Sequence, residues 1–166
     1  MSRKRRSYES GHKPKYLVIV DDTPEGDRAI YYASRRVSRV GASMIMLRVV
    51  DIEDRNQQWL GVADIMRAEA HEAANASLNK YSTRANGVAG VTAERAVREG
   101  KTADEILDLI EKDEDIAILV LAAGTGKDGP GPLVSAIAGK AAASFPIPIV
   151  IVPGGLSDEE IDALAG

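Results

Sequence analysis

Tyr16-Leu-Val-Ile-Val-Asp-Asp-Thr-Pro24 decides the fold of this chain. A continuous apolar run, dense in β-branched side chains and halted by two aspartates, reads as a strand buried on both faces. Thr23 and Pro24 then predict a helix start, with Thr23 as N-cap and the proline in the first turn. Ala29, Ile30, Ala33, Val37 and Val40 recur at helical spacing until Gly41 ends the helix. The unit is strand, tight turn, helix, and the rest of the chain repeats it.

Downstream, Met44 to Val50 reads as a second buried strand, followed by acidic Asp51, Glu53 and Asp54. A long helix is expected from about Gln57 to Tyr81, with Asn86-Gly87 as a turn. Val91 to Val97 is more polar, which suits a strand at a sheet edge. Thr102 and Glu105 have the spacing of a capping box ahead of Ile106, Leu107 and Ile110. Ile116 to Ala122 is the most apolar strand and runs into the loop Gly124-Thr-Gly-Lys-Asp-Gly-Pro-Gly-Pro132. A helix from Leu133 to about Ser144, an extended Phe145-Pro-Ile-Pro148 connection and a last strand, Ile149 to Val152, follow. Ser157 and Glu160 form a second capping box, opening a short helix that carries Ile161 and Leu164. This helix is expected to pack weakly or to reach a partner.

Strands alternating with helices demand right-handed crossovers, so the expected fold class is α/β, a five-stranded, doubly wound parallel sheet. With 166 residues the chain suits one core: a basic tail over 1–14, a domain over 15–153 and a short C-terminal helix segment over 154–166. In such a fold ligands lie beyond the carboxyl ends of the strands, where strand order reverses. Asp21-Asp22, Val49 to Asp54 and the 124–132 loop converge there if the first and fourth strands are neighbours.

Composition narrows the chemistry. The absence of cysteine removes disulfides, thiolate metal sites and cysteine nucleophiles, and fits a reducing, cytoplasmic setting. His12 and His71 lie far apart in sequence, leaving little for a histidine metal site or a Ser/His/Asp triad. No apolar run reaches the roughly 18 residues of a membrane helix. Of 21 basic and 25 acidic residues, Arg3, Lys4, Arg5, Arg6, Lys13 and Lys15 fall in the first fifteen positions against Glu9 alone, so the body is acidic. A basic arm on an acidic body reads as a solvated tail, and a nucleic-acid partner is not expected.

Gly124-Thr-Gly126-Lys-Asp-Gly129 matches the GxGxxG pattern but not its context. No acidic residue stands about 20 positions on, and Pro130 and Pro132 interrupt entry into a helix. A Walker A loop fails because Asp128 follows Lys127. What remains is an anion site built from backbone N–H groups, the next helix's amino end and the Lys127 ammonium, or else a plain crossover loop; spacing alone supports either. Asp21 and Asp22 suit ribose or nucleotide-bound Mg²⁺, and equally the capping of the turn. Asp51, Glu53 and Asp54 read as a solvated acidic loop, and Trp59, Tyr31, Tyr32 and Tyr81 as packing residues.

Tyr16-Leu-Val-Ile-Val-Asp21 with Thr23 and Ala29-Ile30, Leu47-Arg-Val-Val-Asp51, and above all the glycine-rich loop, Pro132-Leu-Val-Ser-Ala-Ile137 and Phe145-Pro-Ile-Pro-Ile-Val-Ile-Val152 resemble the universal stress protein family. The resemblance implies a regulatory module that binds an adenine nucleotide such as ATP or AMP, with Mg²⁺ arriving on its phosphates. It implies Asp21, with Asp22 and Thr23, near the ribose and the Val49 backbone at the adenine. Around the phosphates it implies Gly124, Thr125, Gly126, Lys127, Gly129, Gly131 and Ser135. It also implies a homodimer in which the last strand, Pro148, Ile149, Val150, Ile151 and Val152, pairs antiparallel with its twin. The family's Gly-[Ser/Thr] pair falls here on Ser135-Ala136, and the lost hydroxyl removes about 0.5–1.5 kcal/mol, roughly tenfold in affinity at most. Some members lack the motif and bind no ATP, so the alternative is a nucleotide-free dimeric interaction protein. No nucleophile or general base stands in the loop, which makes any ATP hydrolysis slow and incidental.

Overall fold

The computed structural model describes residues 4–51 and 60–166, with side chains in the long second helix described from residue 64. Strand β1 is Lys15–Ile19, followed by α1 (Gly26–Val40), β2 (Ser43–Val50), α2 (Leu60–Ala89), β3 (Glu94–Glu99), α3 (Thr102–Lys112) and β4 (Ile116–Ala123). Helix α4 (Pro132–Ala138), a 3₁₀ turn (Lys140–Ser144), β5 (Ile149–Pro153) and α5 (Asp158–Leu164) complete the order. The strands form one parallel sheet in the order β3-β2-β1-β4-β5. The order reverses between β1 and β4, as in doubly wound sheets generally.

The apolar runs split by alternation, because successive strand residues face opposite sides of a sheet. Tyr16, Val18, Val20, Met44, Met46 and Val120 face α1, α2 and α5, where Ala29, Ile30, Leu78, Tyr81 and Ile161 meet them. Leu17, Ile19, Ile45, Leu47, Leu119 and Leu121 face Ile106 and Ile110 of α3 and Val134 and Ile137 of α4. Continuous hydrophobicity in the central strands is thus two half-cores of opposite parity. The edge position expected for the polar third strand is the one β3 occupies.

Local signals diverge from the structure where tertiary contacts outweigh them. Helix α1 begins at Gly26 with Glu25 as N-cap, and Thr23 instead donates its hydroxyl to Asp21 Oδ1 at 2.5 Å. Helix α2 runs through Asn86-Gly87 to Ala89, because Leu78, Tyr81 and Ala85 are buried against the sheet, and Gly90 ends it in the left-handed region at φ 68°. The expected start of α2 and the residues Glu53, Asp54 and Trp59 lie outside the described residues. Thr102 is the first residue of α3 and caps nothing, while Glu105 packs on Gly100. The alanine-rich helix breaks at Gly139, where a Cβ would stand 2.9 Å from the Ser135 carbonyl oxygen. The Ser157–Glu160 capping box does form, with Ser157 Oγ accepting from the Glu160 amide at 3.1 Å.

The amino-terminal arm differs from the solvated tail that its composition suggests. Arg5 donates to the carbonyl oxygens of Ile110 (2.7 Å) and Asp113 (3.0 Å), which are acceptors that the end of α3 leaves open. Ser7 is buried and donates to the Asp115 carbonyl, and His12 Nδ1 lies 2.6 Å from Asp115 Oδ1.

A charged cluster joins α1, α2 and α5. The Tyr31 ring lies beneath the guanidinium groups of Arg28, Arg35 and Arg84, each within 5.5 Å of its centroid, and its hydroxyl donates to Asp162 at 2.9 Å. Arg28 reaches Asp158 at 2.8 Å and the Leu156 carbonyl at 3.0 Å, while Arg84 donates to Asp27 at 2.9 Å. Burial pushes the Asp27 carboxyl up, but hydrogen bonds from Arg84 and Arg28 more than reverse this and hold it below its ordinary value. A carboxyl depressed in the folded state stabilises above its unfolded pKa, and that contribution fades as pH falls through the lower folded value. The stability gap between wild type and Asp27→Asn, measured by urea denaturation, should therefore be present at neutral pH and close as pH drops below about 3.9. A pH-independent gap would assign Asp27 to packing alone.

Candidate functional site

Beyond the carboxyl ends of β1 and β4 lies a cleft of about 110 Å³. Ile19, Leu121, Leu133 and Val134 make its apolar floor, Pro130-Gly131-Pro132 one wall, and Asp21, Thr23 and Glu25 its polar rim. It opens where the strand order reverses, since β1 pairs with both β2 and β4. At this size the cleft is smaller than the roughly 300–1,000 Å³ of pockets that enclose drug-sized ligands, so it fits part of a nucleotide.

Asp21 shapes the turn and also borders the cleft. Its Oδ1 accepts from the Thr23 amide at 3.1 Å and the Thr23 hydroxyl, shaping the turn, while the residue itself lines the cleft. Gly26 is buried there, and a Cβ on it would come within 3.2 Å of Asp21 Oδ1. Asp22, next along the chain, points away. It pairs with Arg48 at 2.8 Å and accepts from Ser77 at 2.8 Å, and the Ser77 hydrogen bond leads the causes that lower its carboxyl below the ordinary range. Alternation at the strand end separates the two aspartates, and of the pair Asp21 alone lines the cleft.

The glycine-rich loop is folded on itself. Gly124 donates its amide to the Pro130 carbonyl at 3.0 Å and Gly129 donates to Gly126 at 3.2 Å, so these two N–H groups are already engaged. Gly129 and Gly131, at φ 83° and 108°, occupy a region that disfavours any other residue. Thr125, Gly126 and Lys127 are exposed, and of the loop Pro130, Gly131 and Pro132 line the cleft. Ser135 is exposed on α4, outside the cleft lining, with its amide donated to Gly131. Val49 pairs with Arg98 on β3 and packs on the α3 and α4 side of the sheet, also outside that lining.

Glu25 is the site residue that motif reading misses. Its side chain is wedged between Gly124 and Gly154: a Cβ on Gly124 would meet Glu25 Oε2 at 3.4 Å, and one on Gly154 would meet Glu25 Cβ at 2.8 Å. The only sequence hint is its place after Pro24, at the start of a helix. Its contact with Gly154 depends on β5, over a hundred residues away along the chain.

Among the described residues no group of three or more metal-ligating side chains occurs, and no helix is long and apolar enough to cross a membrane. At the sheet's far edge β5 pairs with β4 alone, and Ile151 is 38% exposed.

The architecture is shared with solved structures. Universal stress protein UspA from Lactobacillus plantarum superposes with a TM-score of 0.71 at 17% identity, covering 84% of this chain and 97% of that one. A universal stress protein from Archaeoglobus fulgidus in complex with dAMP gives 0.57 at 14% identity, covering 84% and 96%. A universal stress protein in complex with cAMP gives 0.56 at 14% identity, covering 86% and 98%. At such identities these likenesses speak for the fold. A search of curated protein sequences returns no match. Residues 14–153, however, match the sequence model of the universal stress protein family from the first strand to the last, and the chain belongs to that family.

Proposed function

We propose that the chain is a cytoplasmic regulatory module whose partner choice responds to an adenine nucleotide bound beyond β1 and β4. The observation that carries this reading is Asp21 at the rim of an apolar-floored cleft at the strand-order reversal, with one carboxylate oxygen engaged in the turn. In this reading the second oxygen accepts from ribose hydroxyls. The amides of Thr125, Gly126 and Lys127, with the Lys127 ammonium, face the phosphates, and Mg²⁺ arrives on them. That structurally similar universal stress proteins hold dAMP and cAMP supports an adenine ligand. Catalysis is no part of the reading: the one hydroxyl beside a carboxylate in the cleft, that of Thr23 on Asp21, is spent in shaping the turn.

Denaturing freshly purified protein and analysing the supernatant by chromatography and mass spectrometry tests the proposal, with titration of the stripped protein to follow. Released adenine nucleotide or micromolar binding is expected. No adenosine, AMP or ATP binding at millimolar concentration would overturn it.

A second reading, a dimeric interaction protein that needs no nucleotide, is favoured by the open edge of β5. Its unpaired backbone and exposed Ile151 suit antiparallel addition of a second copy. Ile151→Lys should shift the protein from dimer to monomer in analytical ultracentrifugation. A wild type that is monomeric throughout would remove the dimer from both readings.

A further inference from the structure

The cleft's charge contradicts a plain polyphosphate site. Its rim carries two carboxylates, Asp21 and Glu25, and no lysine or arginine lines it. Among the described residues Glu25 has no ion-pair or side-chain hydrogen-bond partner, whereas Asp22 and Asp27 nearby are each held by arginine. The Glu25 side chain also sits between two glycines. Its Cβ is in close contact with Gly154, and its carboxylate lies against Gly124, the first residue of the glycine-rich loop. An anion entering between Asp21 and that loop therefore meets a half-buried negative charge, where screening by water is weaker than in bulk.

Resting on the adenine-nucleotide reading above, we propose that Glu25 is a charge filter that sets the ligand class: the cleft prefers the uncharged nucleoside end. It tolerates a polyphosphate chain only when a divalent cation neutralises it. The two amides already spent inside the loop, those of Gly124 and Gly129, weaken the opposing attraction and act in the same direction. Lys127, which is exposed, is left as the loop's only cation.

The test is calorimetric titration of the full chain with adenosine, AMP and ATP, each in EDTA and in excess Mg²⁺, for wild type, Glu25→Gln and Glu25→Asp. Wild type is expected to bind adenosine at least about tenfold more tightly than metal-free ATP, with Mg²⁺ closing much of the gap. Glu25→Gln, which keeps the shape and removes the charge, should shrink the adenosine-to-ATP ratio about tenfold in EDTA, and Glu25→Asp should preserve it. Metal-free ATP binding wild type as tightly as adenosine, or a ratio unmoved by Glu25→Gln, would overturn the filter while leaving the nucleotide site intact. ATP binding without adenosine binding would likewise overturn the filter alone, whereas failure of wild type to bind adenosine, AMP and ATP alike would overturn the nucleotide reading, and the filter with it.

Discussion

Ile161→Ala is expected to cost about 2–5 kcal/mol of stability, the range for emptying a fully buried isoleucine site. Ile161 belongs to α5, beyond the residues that match the family, yet it is completely buried and so is Ala165. Its contacts belong to the same cluster as Ala29, Ile30 and Val152, so the truncation opens a cavity in the main core rather than at its margin. The charged cluster around Tyr31 fixes the helix in place, which limits how far α5 can collapse into the space. Urea denaturation should show a lower midpoint with an unchanged slope. A loss below about 1 kcal/mol would mean that α5 is an appendage the domain can shed.

Asp21→Ala is expected to weaken adenosine binding by roughly tenfold to a hundredfold, because a hydrogen bond to a charged group contributes about 1.5–3 kcal/mol. The alanine also removes the acceptor for the Thr23 amide and hydroxyl, so part of the effect would come from a loosened turn. Asp21→Asn separates the two contributions. Its amide oxygen can still accept from Thr23, while the charge and the second acceptor oxygen are gone. Ribose recognition through the carboxylate predicts that both variants bind weakly; a variant pair in which asparagine binds like wild type would reduce Asp21 to a turn-forming residue. Thermal unfolding of each variant tells the turn from the site, since only alanine should lower the midpoint appreciably.

Glu25 and the loop show why the site is harder to read than the fold. The glycines mark a segment that turns sharply, but whether its amides point at a ligand or at one another depends on closure. Here Gly124 and Gly129 donate inward. Val49 and Ser135, which the family resemblance points to, stand outside the cleft lining, while Glu25 enters it through a contact with Gly154 made only when β5 is in place. The basic arm repeats the point. Its composition reads as a solvated tail until the open carbonyls at the end of α3 are found beneath Arg5.

By itself, the sequence determined the α/β class, the parallel sheet, the polar edge strand and the turn at Asp21 that follows β1. Burial on both faces, strand length and the residues that stop a strand or a helix are local properties. Tertiary structure alone decided which aspartate faces the cleft, that α2 runs through Asn86-Gly87, that α5 joins the core, and that Glu25 lies against the glycine-rich loop. Each of those depends on contacts between residues far apart in the chain, where packing and charge pairing exceed the fraction of a kcal/mol to about 1 kcal/mol by which local propensity favours one conformation over another.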